Sequence, residues 1–304
     1  MTARAKRVER EMSDRLVKAD PDEPAFIVAG PRSIAIRAST GVPGQWFKTN
    51  CEVRFPKGHE LKVGADYGIV IHNGFPTALR ACGSKIPAGE GCIGGFHFAP
   101  GGNALANEGG DEFAAINPNS VWDLTFRPAC PDPRGMALVG RDGLKFWADI
   151  YLLGVNHLTE GTSRFGVTIA DGRDLPLDPR GQLFHKLDYA TAKAIMAHHG
   201  KGLMSEAEFR AFAVGVKERS ACGSDPASTG LDARRTSQVG GMQATGNMWV
   251  WGHDGSLQPR ASIFGGSWLD DGDAGSRYAV VDFWPATSDG LLGARGRSDH
   301  LQPV

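Results

Sequence analysis

Beyond Glu218 the chain loses its helical apolar repeat, yet four of its seven tryptophans, Trp249, Trp251, Trp268 and Trp284, lie there among Gly, Ser and Asp. Large aromatic side chains need a core, and a segment without periodic strands or helices cannot build one alone. Such a stretch predicts loops hung on a few short strands and carried by a scaffold formed earlier in the chain. Three blocks stand out within it: Ile263–Trp268, Ala274–Arg277 and Gly293–Gly296. Gly265, Gly266, Gly275, Gly293 and Gly296 suit turns of positive φ or close backbone approach. Trp249, Trp251 and Trp268 suit a small core beneath the loops. Arg277 and Arg295 carry planar forks able to donate to loop carbonyls that have no ladder partner.

Between the blocks the chemistry is mixed. His253 and Asp254 come first, then Leu269, Asp270 and Asp273, then Val280, Asp282, Phe283, Trp284, Thr287, Asp289, Gly290 and Leu291. Aromatic and aliphatic groups interleaved with carboxylates make a poor core and a good binding patch, in which aromatic anchors supply area and polar neighbours supply specificity. The alternative is an ordinary loop surface with Phe283 or Trp284 tucked inward.

The rest of the chain limits what that patch can belong to. A length of 304 residues suits about two domains, and a formal net charge of −1 implies no nucleic-acid partner. With 41 Gly and 18 Pro but few long apolar repeats, strands and loops should outweigh helix. No segment approaches the roughly 20 apolar residues of a membrane span. The basic N-terminus is not followed by the apolar stretch of a secretory signal, so synthesis in the cytoplasm is expected. Cysteines at 51, 82, 92, 130 and 222 are odd in number and lack zinc-ligand spacing, which favours buried free thiols over disulfides or a structural metal.

Residues 1–22 place Val8, Met12 and Leu16 on one face of a short helix, which serves oligomerisation, or else they form a flexible arm. From 23 to 130 short runs bounded by Gly, Pro or Asn predict an all-β domain: Ala25–Ala29, Ser33–Ile36, Cys51–Phe55 and Tyr67–His72. Gly94–Asn103 is Gly-rich but lacks the Lys-Ser/Thr ending of a phosphate loop, and reads as a loop on a β-layer. Pro118, Pro128, Pro131 and Pro133 mark a boundary, with a second domain over 131–304. Phe146–Leu153 and Arg164–Ile169 read as its strands. Residues 188–199 predict a helix with Ala190, Ala194 and Ile195 on one side and a stop at Gly200. Ser205 and Glu208 form a capping box, after which Phe209, Phe212, Ala213 and Val216 repeat on one helix face.

Seven blocks, Gly135–Val139, Trp147–Tyr151, Gly202–Phe209, Ala244–Gly252, Phe264–Trp268, Gly275–Arg277 and Gly293–Gly296, occur in an order that resembles the formylglycine-generating-enzyme branch of the C-type lectin fold. Within that branch the ending Gly293–Leu301 is similar to the variable proteins of diversity-generating retroelements, some of them phage tail proteins. The resemblance implies an α+β chain: a C-type lectin-like domain of two helices, short strands and long loops, preceded by an all-β attachment or assembly domain. It implies a ligand-binding variable region over about 249–296, where a reverse transcriptase exchanges side chains on a fixed backbone. Val281, where relatives often carry a buried Trp, is expected to be scaffold.

The same resemblance implies a receptor-binding protein of a phage or prophage tail, made in the bacterial cytoplasm and carried on the virion. Its partners would be a protein or glycan receptor on a target cell, phage tail components and, in a homotrimer, its own copies, with no nucleic acid and no membrane insertion. A cytoplasmic or cell-surface binding protein of the same fold is the alternative. A formylglycine-generating-type metal oxidoreductase is less favoured. The chain lacks the calcium motifs of sugar-binding lectins, and Asp270, Asp271 and Asp273 alone fall short of the six to eight oxygens that calcium takes. No cysteine follows Cys222, so the copper pair of the enzymes is missing. His198 and His199 would point about 100° apart on a helix, and His185 and His300 are isolated. Gly-x-Ser-x-Gly is absent. No catalytic residue, metal or cofactor is therefore expected.

Overall fold

The computed structural model describes residues 16–42, 44–58, 60–81 and 91–301. In its first part, alternating apolar residues form short antiparallel strands. Phe26–Gly30 pairs with Ser33–Ile36, which pairs with Cys51–Glu52. A larger sheet has Ala65–His72 between Phe75–Arg80 and Cys92–Ala99, and the last strand also takes Ala115–Ile116 and Trp122–Asp123. Phe26, Ile34, Ile36, Tyr67, Ile69, Phe96 and Phe98 close a core with these strands.

Gly94–Ala99 is thus strand and not the expected loop. The physical reason is close packing: a Cβ on Gly94 would collide with the Phe26 ring, and one on Gly95 with the Tyr67 carbonyl and the Trp122 ring. Glycine here admits a bulky neighbour. The helix or arm expected over residues 1–22 falls largely outside the described residues. Within them, Leu16 is buried in the first core, and Val17 exchanges backbone hydrogen bonds with Gly41, both at 2.9 Å, so this stretch is docked extended chain.

The second part carries two four-stranded sheets. One runs Met136–Arg141, Leu144–Asp149, Gly296–Asp299, Gly202–Leu203. The other runs Ala279–Val280, Ala261–Phe264, Trp249–His253, Leu292–Gly293, the final pair parallel. The helix Glu206–Phe212 starts at the capping box: Ser205 Oγ accepts from Glu208 N, and a Glu208 carboxylate oxygen accepts from Ser205 N at 2.8 Å. An N-cap of this kind stabilises a helix by about 1 kcal/mol. Phe209 stacks on Phe264 at 5.2 Å, joining the helix to the second sheet.

Other expectations need correction. The helix Tyr189–His198, capped by the Asp188 side chain, buries Ala192, Ile195 and Met196, whereas Ala190 and Ala194 are exposed. The strand expected over Phe146–Leu153 ends at Asp149. Residues 150–153 remain wholly buried but irregular, with Ile150 N donating to Gly135 O and Leu153 N to Ala294 O. Arg164–Ile169 is a turn: Gly166 has φ 73°, and Thr229 binds both Gly166 N and Val167 N. Of the cysteines, Cys130 is buried, Cys51, Cys92 and Cys222 are half-buried, and Cys82 lies outside the described residues.

A buried polar network joins the two parts. Asp66 lies 2.9 Å from His97 Nδ1 and accepts from Gly135 N at 3.0 Å, while the other His97 nitrogen meets Tyr151 Oη at 2.9 Å. Burial pushes the Asp66 carboxyl upward, but the His97 ring, its hydrogen bond, Arg164 and Arg134 outweigh it and hold the pKa at about 2 against an ordinary 3.8. A depressed carboxylate contributes stability that is complete above the unfolded value and is lost as pH falls through the folded one. On this basis unfolding followed by denaturant should show about 2 kcal/mol lost between pH 5 and pH 2 that Asp66→Asn does not lose. Equal pH slopes for the two proteins would refute the assignment.

Candidate functional site

The second sheet ends in Ala279–Val280, an edge strand whose register sets Val280 opposite Ile263 and Ala279 opposite Phe264. Its continuation is stapled to the neighbouring strand by Phe283 N donating to Ala261 O at 2.7 Å. Segments on either side are held as firmly. Gly265 N donates to Tyr278 O at 2.8 Å, Gly275 N donates to Gly265 O at 3.0 Å, and Trp268 N donates to Asn247 O at 3.0 Å. At the far end Trp249 N donates to Leu291 O, and Gly172 N donates to Asp289 O, both at 2.9 Å. Loops that lack long ladders are in this way pinned to the sheet.

On that frame the residues expected to form the binding surface divide by direction. Leu269, Asp273, Val280, Asp282, Trp284 and Asp289 are exposed, Trp284 at 79%. His253, Thr287 and Leu291 are half-buried. Phe283 turns inward and meets Trp251 at 5.8 Å, so of the two adjacent aromatics one anchors the segment and the other projects. Asp254 and Asp270 are used locally: Asp254 accepts from Ser256 and Arg260, and Asp270 accepts from Ser267 N at 2.7 Å and from Ser267 Oγ. Gly290 is a correction, because it is buried and a Cβ there would run into the Arg173 guanidinium. Val281 is another: at 47% exposure it belongs to the outer surface, the inward position being taken two residues later by Phe283.

Among residues expected to be scaffold, Trp251, Gly265, Gly266 and Gly293 are buried, and Trp249 and Trp268 are half-buried. Gly265 and Gly266 have φ 94° and 79°, and a Cβ on Gly266 would press on Ala274, which explains the paired glycines. Arg295 is fully buried and donates to the carbonyls of Asp149, Ile150, Met242 and Gln243. Arg277 departs from expectation. It is exposed, has no hydrogen-bond partner among the described residues, and lines an open cavity of about 760 Å³ with Arg141, Arg210 and Glu218. Of the two arginines expected to bind loop carbonyls only Arg295 does so, while Glu218 holds the residue before Arg277 by accepting from Ser276 N and Oγ.

Sequence reasoning missed Arg260. Arg260 Nε donates to Asp254 at 2.8 Å and its Nη1 donates to Asp282 at 3.0 Å, joining two predicted site residues through one that was not. The available signal was an opposite-charge pair, Asp254 and Arg260, bracketing a Gly-Ser-Pro loop. Chemically the surface offers shape and side-chain variety on a fixed backbone. Among the described residues no group of three His, Cys, Asp or Glu is placed to hold a metal ion, and no helix is long and apolar enough to cross a membrane.

Residues 24–123 match the sequence model of the family described as Mtd second domain. The tail fiber receptor-binding protein of Bordetella phage BPP-1 is 38% identical, the alignment covering 94% of this chain and 84% of that protein. Among solved structures, the U1 and P3c variants of the major tropism determinant each superpose with a TM-score of 0.87 at 36% identity, covering 97% of this chain and 88% of theirs. Identity at this level over nearly the whole length, with the same fold throughout, means that the chain belongs to the major tropism determinant family.

Proposed function

We propose that this protein is the receptor-binding component of a phage or prophage tail, and that it works by non-enzymatic binding through the surface formed by Leu269, Asp273, Val280, Asp282, Trp284 and Asp289, flanked by His253, Thr287 and Leu291. The observation that carries the reading is the separation of side chains on that surface. Trp284 projects at 79% exposure beside exposed Val280 and Val281, while their backbone is stapled to a buried sheet. An exposed aromatic on a backbone that needs no ordering is the arrangement of a binding hot spot. The BPP-1 relative named as a tail fiber receptor-binding protein supports the same reading.

In this reading the outward side chains are exchanged by a retroelement, and the change of partner follows from altered contacts on an unaltered frame. A neighbouring reverse-transcriptase gene with a near-identical repeat, differing from the 3′ end of this gene at adenines, is expected; a genomic neighbourhood with neither would overturn the diversification claim. Trp284→Ala should lower adsorption of the purified chain to its target cells at least thirtyfold, as loss of a central aromatic anchor does. Unchanged adsorption would move the site elsewhere.

The virion form is read as a homotrimer. Leu105 and Phe113, 94% and 80% exposed within residues 100–114, are apolar groups available for contact between copies. Light scattering should give about three times the 32.4 kDa chain mass, and a single-chain mass would refute this part.

A further inference from the structure

Three hydrogen bonds clamp the segment 285–289 of the candidate surface to a much earlier part of the chain. Gly172 N donates to Asp289 O at 2.9 Å, Leu187 N donates to Ser288 Oγ at 2.9 Å, and Tyr189 N donates to Pro285 O at 3.1 Å. Trp251 Nε1 donates in turn to Leu187 O at 3.1 Å. The first turn of the helix Tyr189–His198 is thereby seated at the border of that surface. Its tyrosine is half-buried, with the ring 5.9 Å from Trp251, which itself meets Phe283 at 5.8 Å. Burial and then the nearby Asp254 carboxylate raise the Tyr189 phenol above its ordinary value, so the hydroxyl keeps its proton at neutral pH. Its Oη has no hydrogen-bond partner among the described residues and is not sealed from solvent. A tyrosine packed by its ring with an unused hydroxyl at the edge has a polar handle to offer.

We infer that Tyr189 is a contact residue of the receptor surface that stays constant while its neighbours are exchanged, and that its hydroxyl takes a peptide group of a protein receptor. This rests on the receptor-binding reading above. Tyr189 lies well before the variable region 249–296, so every variant of the surface carries it. Because its ring is already packed and its backbone already clamped, contact orders little that was free. The charges around it balance. Asp188 pairs with Lys186 at 2.6 Å, Arg260 pairs with both Asp254 and Asp282, and Lys193 Nζ, 5.9 Å over the Tyr189 ring and in no ion pair among the described residues, offsets the second of those carboxylates. A neutral spot with one phenol hydroxyl suits an uncharged donor or acceptor. Peptide groups supply one on any folded partner, whatever side chains meet the exchanged positions. Val280 and Val281, exposed on the same segment as Trp284, add aliphatic area that suits apolar side chains and not hydroxyl-covered sugar.

The test measures adsorption of the full-length chain to cell-envelope vesicles from a panel of bacterial strains, left untreated, protease-treated or periodate-treated. The variants are Tyr189→Phe and Trp284→Ala, and Tyr189→Phe is also placed in chains whose Val280, Asp282 and Trp284 have been exchanged and selected for adsorption to other strains. Tyr189→Phe should lower adsorption about tenfold in every one of these chains, as loss of a hydrogen bond to a partner does, without moving the melting temperature. Bound vesicles should protect the Tyr189 ring severalfold from nitration by tetranitromethane, read by peptide mass, which a merely structural ring would not show. Protease should abolish adsorption, and periodate should leave it intact. If Trp284→Ala loses adsorption while Tyr189→Phe keeps it, the constant contact is wrong and the receptor surface stands. A loss confined to this chain and absent from the exchanged ones overturns constancy, and nitration indifferent to bound vesicles overturns the contact whatever the melting data. If neither variant changes adsorption, or the unaltered chain adsorbs to no strain, both readings fall. Adsorption that survives protease and is lost to periodate overturns the peptide group as its partner.

Discussion

Arg295→Ala is expected to abolish cooperative folding. The guanidinium is fully buried, with Nη1 donating to Asp149 O at 2.8 Å and Ile150 O at 2.6 Å, and Nη2 donating to Met242 O at 2.7 Å and Gln243 O at 3.2 Å. It lies 4.9 Å over the Phe212 ring. One side chain thereby ties the end of the Leu144–Asp149 strand, the loop before Trp249 and the last glycine block. Ile150 O keeps Met242 N at 2.8 Å, but the other three carbonyls lose their donor, and each orphaned acceptor costs about 1–3 kcal/mol. Their loss together would cost about 3–9 kcal/mol, against a net stability on the order of 5–15 kcal/mol. Burial lowers the guanidinium pKa, with Asp149 opposing, so the surrounding carbonyls are what make a buried cation tolerable. Arg295→Lys should recover only part, because a compact ammonium cannot span the same fork. Soluble yield and denaturant unfolding measure both. A stable Arg295→Ala protein that loses less than about 1 kcal/mol would show that the hub is dispensable.

What was legible in the sequence is what local chemistry decides. Ser205 and Glu208 cap a helix because both partners lie within one turn, and Phe209 and Phe212 share its buried face by helical geometry, whereas Val216, expected on that face, is buried beyond the end of the helix at Phe212. The glycines of Ile263–Trp268 were readable for the same reason, since positive φ is a local demand. The failures had distant partners. Gly94 and Gly95 sit in a strand because of Phe26, Tyr67 and Trp122, far away in sequence. Gly290 is buried because Arg173 lies over it, and no neighbouring residue announces that. Arg277 and Arg295 are alike in composition and block, yet only Arg295 faces carbonyls brought from Asp149 to Gln243 by the fold. Within the candidate surface, the assignment of Val281 outward and Phe283 inward follows from the staple of Phe283 N to Ala261 O and not from any alternation in the sequence.

The same division of side chains makes the second large effect predictable. Changing Leu269 and Trp284 to Ser and Val280 and Val281 to Thr should leave the fold nearly unaltered and reduce adsorption more than a hundredfold. These four side chains are 57%, 79%, 40% and 47% exposed, and exposed positions usually shift stability by no more than about 0.5 kcal/mol each. Thr keeps the β-branching that suits the edge strand and its continuation. Their apolar area is the part of the surface able to anchor a partner, and truncating a central aromatic typically costs 2 kcal/mol or more in binding. Phe283→Ser is the control that separates position from composition. It lies in the same segment but packs on Trp251, so it should cost roughly 3 kcal/mol of stability. Gly266→Val should fail similarly, because its Cβ would press on the Ala274 backbone and its φ of 79° suits glycine. Melting and adsorption measured on all three proteins decide the matter. If the fourfold variant unfolds like Phe283→Ser, the outward residues are part of the core, and a surface built to change its partner without changing its frame does not exist here.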